Sequence, residues 1–162
     1  MDIRKGKEEE IDVIMTVFDA AKLFMRKIGN DKQWVNGYPS KDLILENIRD
    51  EYFYVCLSDE EQIVGVFFFK EGNDITYDKI YEGEWLNDKP YGVVHRIASS
   101  GVQKRIADFC LQWCIEKCKN IRIDTHRDNI VMQNVLKRNS YKQCGIIYLA
   151  NGVERIAFQK SI

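Results

Sequence analysis

Gly92-Val-Val-His-Arg-Ile-Ala98, then Ser99-Ser-Gly101, then Val102-Gln-Lys-Arg-Ile-Ala107 running on to Cys118 is the stretch on which the fold turns. The first part reads as a strand, the second as a turn, and the third as a helix of about four to five turns from Val102 to Cys118. A helix start leaves backbone N–H groups unpaired, and the small residues Ser99, Ser100 and Gly101 let a ligand approach them, so an anion such as phosphate is expected here. Lys104 and Arg105 place cations where the helix dipole would ordinarily favour acids.

Outward from that stretch the chain alternates strands and helices. Towards the N-terminus, a strand at Asp2 to Arg4 precedes the acidic run Glu8 to Glu10, and Ile11, Ile14, Met15, Phe18, Ala21 and Met25 then recur at helical spacing up to about Gly29-Asn30. Ser40 is the expected N-cap of a second helix carrying Leu43, Ile44, Asn47 and Ile48. Tyr52 to Leu57 and Ile63 to Phe69 read as a hairpin of central strands, and Asn73 to Asp88 as a second, acidic hairpin-like region. Towards the C-terminus, Asn120 to Asp124 is a strand, Asp128 is expected to cap a helix through Asn139, and Tyr141 to Leu149 with Glu154 to Gln159 form a hairpin about Asn151-Gly152. The order β-α-α-β-β-β-α-β-α-β-β predicts an α/β domain with one mixed sheet and helices on both faces, spanning 1–162 without a linker.

Composition narrows the function. The 162 residues carry 24 basic and 25 acidic side chains, with 45% apolar residues, a balance that disfavours both disorder and a basic nucleic-acid scaffold. No apolar run reaches a membrane span's length and no signal-peptide core follows Met1, so a cytoplasmic protein with neither membrane nor nucleic-acid partner is expected. Five cysteines fit a reducing compartment. Cys110, Cys114 and Cys118 share a helix face and could bind a soft metal, but their spacing differs from zinc hooks and suits core packing, so no metal is expected.

The element order and the run Ile97 to Ala107 resemble the GNAT superfamily of acyl-CoA-dependent N-acyltransferases. Aligned without gaps on that family's Gln/Arg-x-x-Gly-x-Gly/Ala loop, Val102 stands at Gln/Arg, Arg105 at the first glycine and Ala107 at Gly/Ala; Val102 and Arg105 depart from the pattern. A second motif, Asn-x-x-Ala-x-x-x-Tyr-x-x-x-Gly-Phe, is met by Asn129, with Met132 at alanine, Leu136 at the general-acid tyrosine and Ser140-Tyr141 at Gly-Phe. The resemblance implies acetyl-CoA as co-substrate, held by Ile97, Ala98, Ser99, Val102, Gln103, Lys104, Arg105, Ile106, Ala107 and Asn129. It also implies direct attack of a small-molecule or peptide amine on the thioester, whose carbonyl is polarised by a backbone N–H near Ile97 or Ala98.

For the base the chain offers two imidazoles and nearby carboxylates. His126, beyond the strand that follows the long helix, ranks first, with Asp124 beside it and His95 as the other imidazole. Trp34 and Tyr38, together with Glu84 and Trp85 of the acidic region, could line a pocket for a cationic acceptor. Two other readings stand beside this one: a non-catalytic acyl-CoA-binding module that kept the fold, and a thiol-based redox or metal protein. The final hairpin leaves a strand edge that could pair with a second copy, giving a homodimer.

Overall fold

The computed structural model describes all of residues 1–162. Seven strands form one sheet: β1 (Asp2–Lys5), β2 (Phe53–Leu57), β3 (Ile63–Glu71), β4 (Gly92–Ser99), β5 (Asn120–Thr125), β6 (Lys142–Tyr148) and β7 (Glu154–Ser161). Their order across the sheet is β1-β2-β3-β4-β5-β7-β6, and every neighbouring pair is antiparallel except β4 and β5. Four helices cover it: α1 (Ile11–Lys27), α2 (Lys41–Arg49), α3 (Ile106–Cys118) and α4 (Ile130–Arg138). The element order is the one the sequence predicts. No helix is long and apolar enough to cross a membrane.

Each helix buries the stripe its sequence supplies. Ile14, Val17, Phe18 and Ala21 on α1 meet Ile44 and Ile48 of α2 over Phe53, Val55, Val66 and Ala98, a face of helical period laid on strand residues of period two. The Ser40 hydroxyl accepts the Leu43 N–H (3.1 Å), so α2 starts at its expected cap. On the other face Ile106, Cys110, Leu111, Cys114 and Ile115 of α3 are buried with Val135 and Leu136 of α4 against Phe67, Phe69, Ile121, Ile123 and Phe158. Cys110 and Cys114 are therefore core residues, and Cys118 is half-buried.

Three expectations about local structure are corrected. Helix α3 begins at Ile106 rather than Val102, because Arg105 adopts a left-handed conformation at φ 65° and stops the helix from extending backwards. Asn129, not Asp128, caps α4, its carboxamide accepting the Met132 N–H at 3.0 Å. The region from Asn73 to Asp88 is no hairpin: after a 3-10 turn at Ile75–Tyr77 it runs irregularly across the sheet, burying Tyr77 and Tyr91 over Phe68, Val93 and Ala157. Its aromatic residues are spent on packing, so their alternation with acids does not mark a strand.

The same segment closes the outer edge of β6. Tyr81 and Ile146 exchange backbone hydrogen bonds, each 2.8 Å, and the Glu84 N–H donates to the Cys144 carbonyl at 3.0 Å. The edge expected to be free for a second copy is thus largely occupied by the chain's own backbone.

Candidate active site between the diverging strands

Strands β4 and β5 run parallel but pair only at Gly92 with Ile121 and at Val93 with Arg122. Beyond that point β4 is bent by a bulge in which Arg96 and Ile97 stand opposite the single residue Phe67, between the pairs Phe68–His95 and Val66–Ala98. Arg96 takes φ 53°, and the extra residue turns β4 away from its neighbour. The gap is the floor of an open cleft of about 950 Å³, lined by both strands, by the α1–α2 loop including Trp34 and Tyr38, and by Asn73 to Thr76.

Five ionisable groups meet around this floor. The His95 Nε2 lies 2.7 Å from the Asp74 Oδ2, and both side chains keep about a fifth of their surface exposed. Burial alone would raise the Asp74 pKa, but the hydrogen bond and charge of His95, with the Thr76 N–H bonded to Oδ1, bring it down to about 2. Across the gap, the buried Tyr77 hydroxyl donates to the Asp124 Oδ2 at 2.6 Å, and the Arg155 Nε lies 3.9 Å from the Oδ1. Burial and the Asp124 charge push the Tyr77 phenol upward, so it stays a donor; burial pulls the Arg155 guanidinium downward.

His126 is placed differently from the sequence expectation. Its ring is buried, does not line the cleft, and its Nδ1 accepts the Asp128 N–H at 3.0 Å, which shapes the turn leading to α4. Burial, then the charge of Arg155, lowers its pKa and keeps it neutral. Replacing His126 by Asn, whose carbonyl can accept the same N–H, is expected to leave the catalytic rate unchanged, whereas His126→Ala should cost about 1 kcal/mol of stability in urea melts. A hundredfold loss of rate in the Asn variant would restore His126 as base.

Of the expected acceptor residues, Trp34 and Tyr38 line the cleft and Glu84 and Trp85 do not. Glu84 is an exposed part of the β6 edge cover, and the Trp85 Nε1 donates to the Tyr77 carbonyl while its ring lies under Arg122 (4.4 Å). Asp74 escaped the sequence reading. Its only signal was its place in the acidic region, where nothing distinguishes it from Asp78 or Asp88.

The turn before α3 can take an anion, on part of the set of amides expected there. The Ser100 N–H donates to the Val64 carbonyl (2.9 Å), and the seryl oxygens of Ser99 and Ser100 accept from Gly101 (3.2 Å) and Val102 (3.3 Å). The N–H groups of Gln103, Lys104 and Arg105 have no acceptor, and the first turn of α3 at Ile106 and Ala107 adds the free donors of any helix start. The Arg105 side chain is 68% exposed, 3.5 Å from Asp108, so it leaves the interior of the turn open. Ile97, in the bulge, lines the cleft, while Ala98, just after it, is buried in the core. Asn129 lines the cleft as well.

Helix α4 is fastened to α3 by Asp108, which accepts from the Arg138 Nε (2.8 Å) and Nη2 (2.6 Å) and from the Asn139 amide (2.8 Å). The Arg138 bond, then that of Asn139, lowers the Asp108 pKa to about 2 against the opposing effect of burial. A carboxylate held below its unfolded value stabilises the fold above about pH 4, and that contribution drains away as the pH falls towards 2. Urea midpoints of Asp108→Asn should therefore lie below wild type at pH 7 and converge with it near pH 2; a constant gap would refute the linkage.

No protein-family model and no curated protein matches the sequence. Among solved structures, a GNAT-family acetyltransferase from Streptococcus agalactiae 2603 is 35% identical, with a TM-score of 0.90 over 99% of this chain and 95% of that one. The chain belongs to the GNAT family of acetyltransferases. GNAT enzymes are acyl-CoA-dependent N-acetyltransferases, and this GNAT chain shares its fold with more distant acetyltransferases. One from Staphylococcus aureus Mu50 matches at 22% identity and TM-score 0.72, covering 99% of each chain. A phosphinothricin acetyltransferase from Sinorhizobium meliloti, solved with AcCoA, matches at 9% identity and TM-score 0.64, covering 99% of this chain and 88% of that one. Leu136, which the motif resemblance sets at the tyrosine position, is wholly buried in the core, and Ser140, set at the glycine position, takes the left-handed φ of 67°.

Proposed function

We propose that this protein transfers the acetyl group of acetyl-CoA to a primary amine by direct attack, with His95 as the base and Asp74 orienting it. The observation that carries this reading is the His95–Asp74 pair of 2.7 Å on the floor of the gap between β4 and β5. Acetyl-CoA would meet the free N–H groups of Gln103, Lys104 and Arg105 with its diphosphate, as backbone donors at a helix start suit an anion. The bulge at Arg96 and Ile97 would present a backbone N–H to the thioester carbonyl.

In the reaction the ammonium of the acceptor loses a proton to His95, with the Asp74 carboxylate balancing the imidazolium. The freed amine forms the C–N bond as the C–S bond breaks, the electron pair leaves on the CoA sulfur, and the second proton of the amine passes to that thiolate to give the amide and the CoA thiol. A thiol on the free scale has a pKa of about 8.5, so the thiolate is a tolerable leaving group without the phenol that Leu136 replaces. Asp124, fixed by Tyr77, supplies a second anion facing the incoming cation, and Trp34 and Tyr38 form the outer wall.

The test is calorimetric titration with acetyl-CoA followed by thiol release on adding a panel of amines. Binding with turnover of at least one amine is expected. Binding without turnover of any would favour the non-catalytic module, and no heat at millimolar acetyl-CoA would remove the reading.

A further inference from the structure

Lys32, Lys70 and Arg96 line the cleft without an ion pair, and of the three only Arg96 holds a buried polar atom that meets no acceptor. Asp74 is engaged by His95 and Asp124 lies beside Arg155, while the Lys70 ammonium lies over the Tyr52 ring at 5.3 Å. Arg96 meets only neutral groups: its Nη1 donates to the Tyr38 hydroxyl (2.9 Å), its Nη2 to the Asn47 Oδ1 (2.9 Å), and its guanidinium carbon stands 4.7 Å over the Phe68 ring. Its Nε is buried with no acceptor at all. A guanidinium offers five N–H donors in a planar fork suited to a carboxylate, and removing one from water without a partner is costly. The residue also holds a left-handed backbone that an arginine adopts only under constraint. A charge this poorly matched, lining the cleft, is suited to a ligand.

We infer that Arg96 binds the carboxylate of the acceptor, and that the acceptor is a free amino acid rather than a simple amine or a peptide. The inference rests on the acetyl-transfer reading above and narrows it. His95 and Arg96 lie against the same Phe68 ring, the imidazole centroid at 5.6 Å and the guanidinium at 4.7 Å, so base and cation serve amine and carboxylate groups of one compact molecule. A single guanidinium with neutral neighbours balances one negative charge. A phosphate dianion would bring a second charge towards Asp74 and Asp124, where like charges repel.

The experiment follows thiol release from acetyl-CoA with each common amino acid, its carboxamide, its decarboxylated amine and an aminophosphonate analogue. At least one free acid is expected to exceed its carboxamide by roughly ten- to hundredfold in kcat/KM, the worth of a charge-assisted hydrogen bond pair. Arg96→Gln should bring the acid-to-carboxamide ratio of kcat/KM close to one through the KM of the free acid, and Arg96→Lys should retain part of the preference. Acid and carboxamide rates falling together in Arg96→Gln would assign Arg96 to holding Tyr38 and Asn47 in place and overturn the inference. Equal wild-type turnover of acids and carboxamides, or preference for the phosphonate, would overturn it while leaving acetyl transfer intact. Silence from every amine would instead strike the transfer reading and this inference with it.

Discussion

His95→Gln is expected to lower kcat by about 10²- to 10⁴-fold, the span of a lost general base, while the affinity for acetyl-CoA stays within a factor of two. Glutamine keeps a polar group of similar reach towards Asp74 but cannot take a proton near neutral pH. In Asp74→Asn the imidazole remains and its counter-charge is removed, so imidazolium forms less readily and the rate falls by a smaller factor. Full activity in His95→Gln would end its candidacy and return the role to Asp124 acting through water.

The second large effect is structural and reaches the donor site from behind. Gly65 on β3 lies opposite Cys56 and Ser99, and a Cβ there would stand 2.3 Å from the Ile106 Cγ2. Ile106 is the first residue of α3, branched at Cβ and 2% exposed, so it has little room to swing aside. Gly65→Ala is expected to cost about 1 to 3 kcal/mol in urea melts. Relief comes most easily by lifting the start of α3, which carries the free amides after Gly101. The KM for acetyl-CoA should therefore rise several-fold with little change in the acceptor KM. Adding Ile106→Leu, which is unbranched at Cβ and lacks the Cγ2 methyl, should restore part of both losses; a Gly65→Ala protein as stable as wild type would show the helix start to be looser than its burial implies.

Much of the fold was legible because apolar spacing and burial coincide. Ile14, Phe18 and Ala21 are one helical stripe and one buried face, and the near-continuous apolar runs of β2 and β3 became interior strands buried on both faces. Reading failed where backbone conformation depends on distant contacts. Nothing local to Arg105 announces a left-handed residue, so the start of α3 was placed early, and nothing local to Arg96 announces a bulge.

The candidate site was legible in its parts more than in its roles. The strand assignments placed Asp124 and Ile97 near one another, and the resemblance located the amides before α3. Choosing between two histidines needed the path of the irregular segment from Asn73 to Tyr91, which brings Asp74 to His95 and Tyr77 to Asp124. That path is set by buried aromatics with no regular period, which pattern reading cannot resolve.

The shortness of the β4–β5 pairing has a mechanical consequence. Strands β1 to β4 form one ladder and β5, β7 and β6 another, joined at only two residue pairs, so each half is stiff and the seam between them is the compliant line of the molecule. A substrate lodged across that seam tightens the whole barrier to unfolding while touching few residues, and the width of the opening becomes a property the ligand sets as much as the chain does.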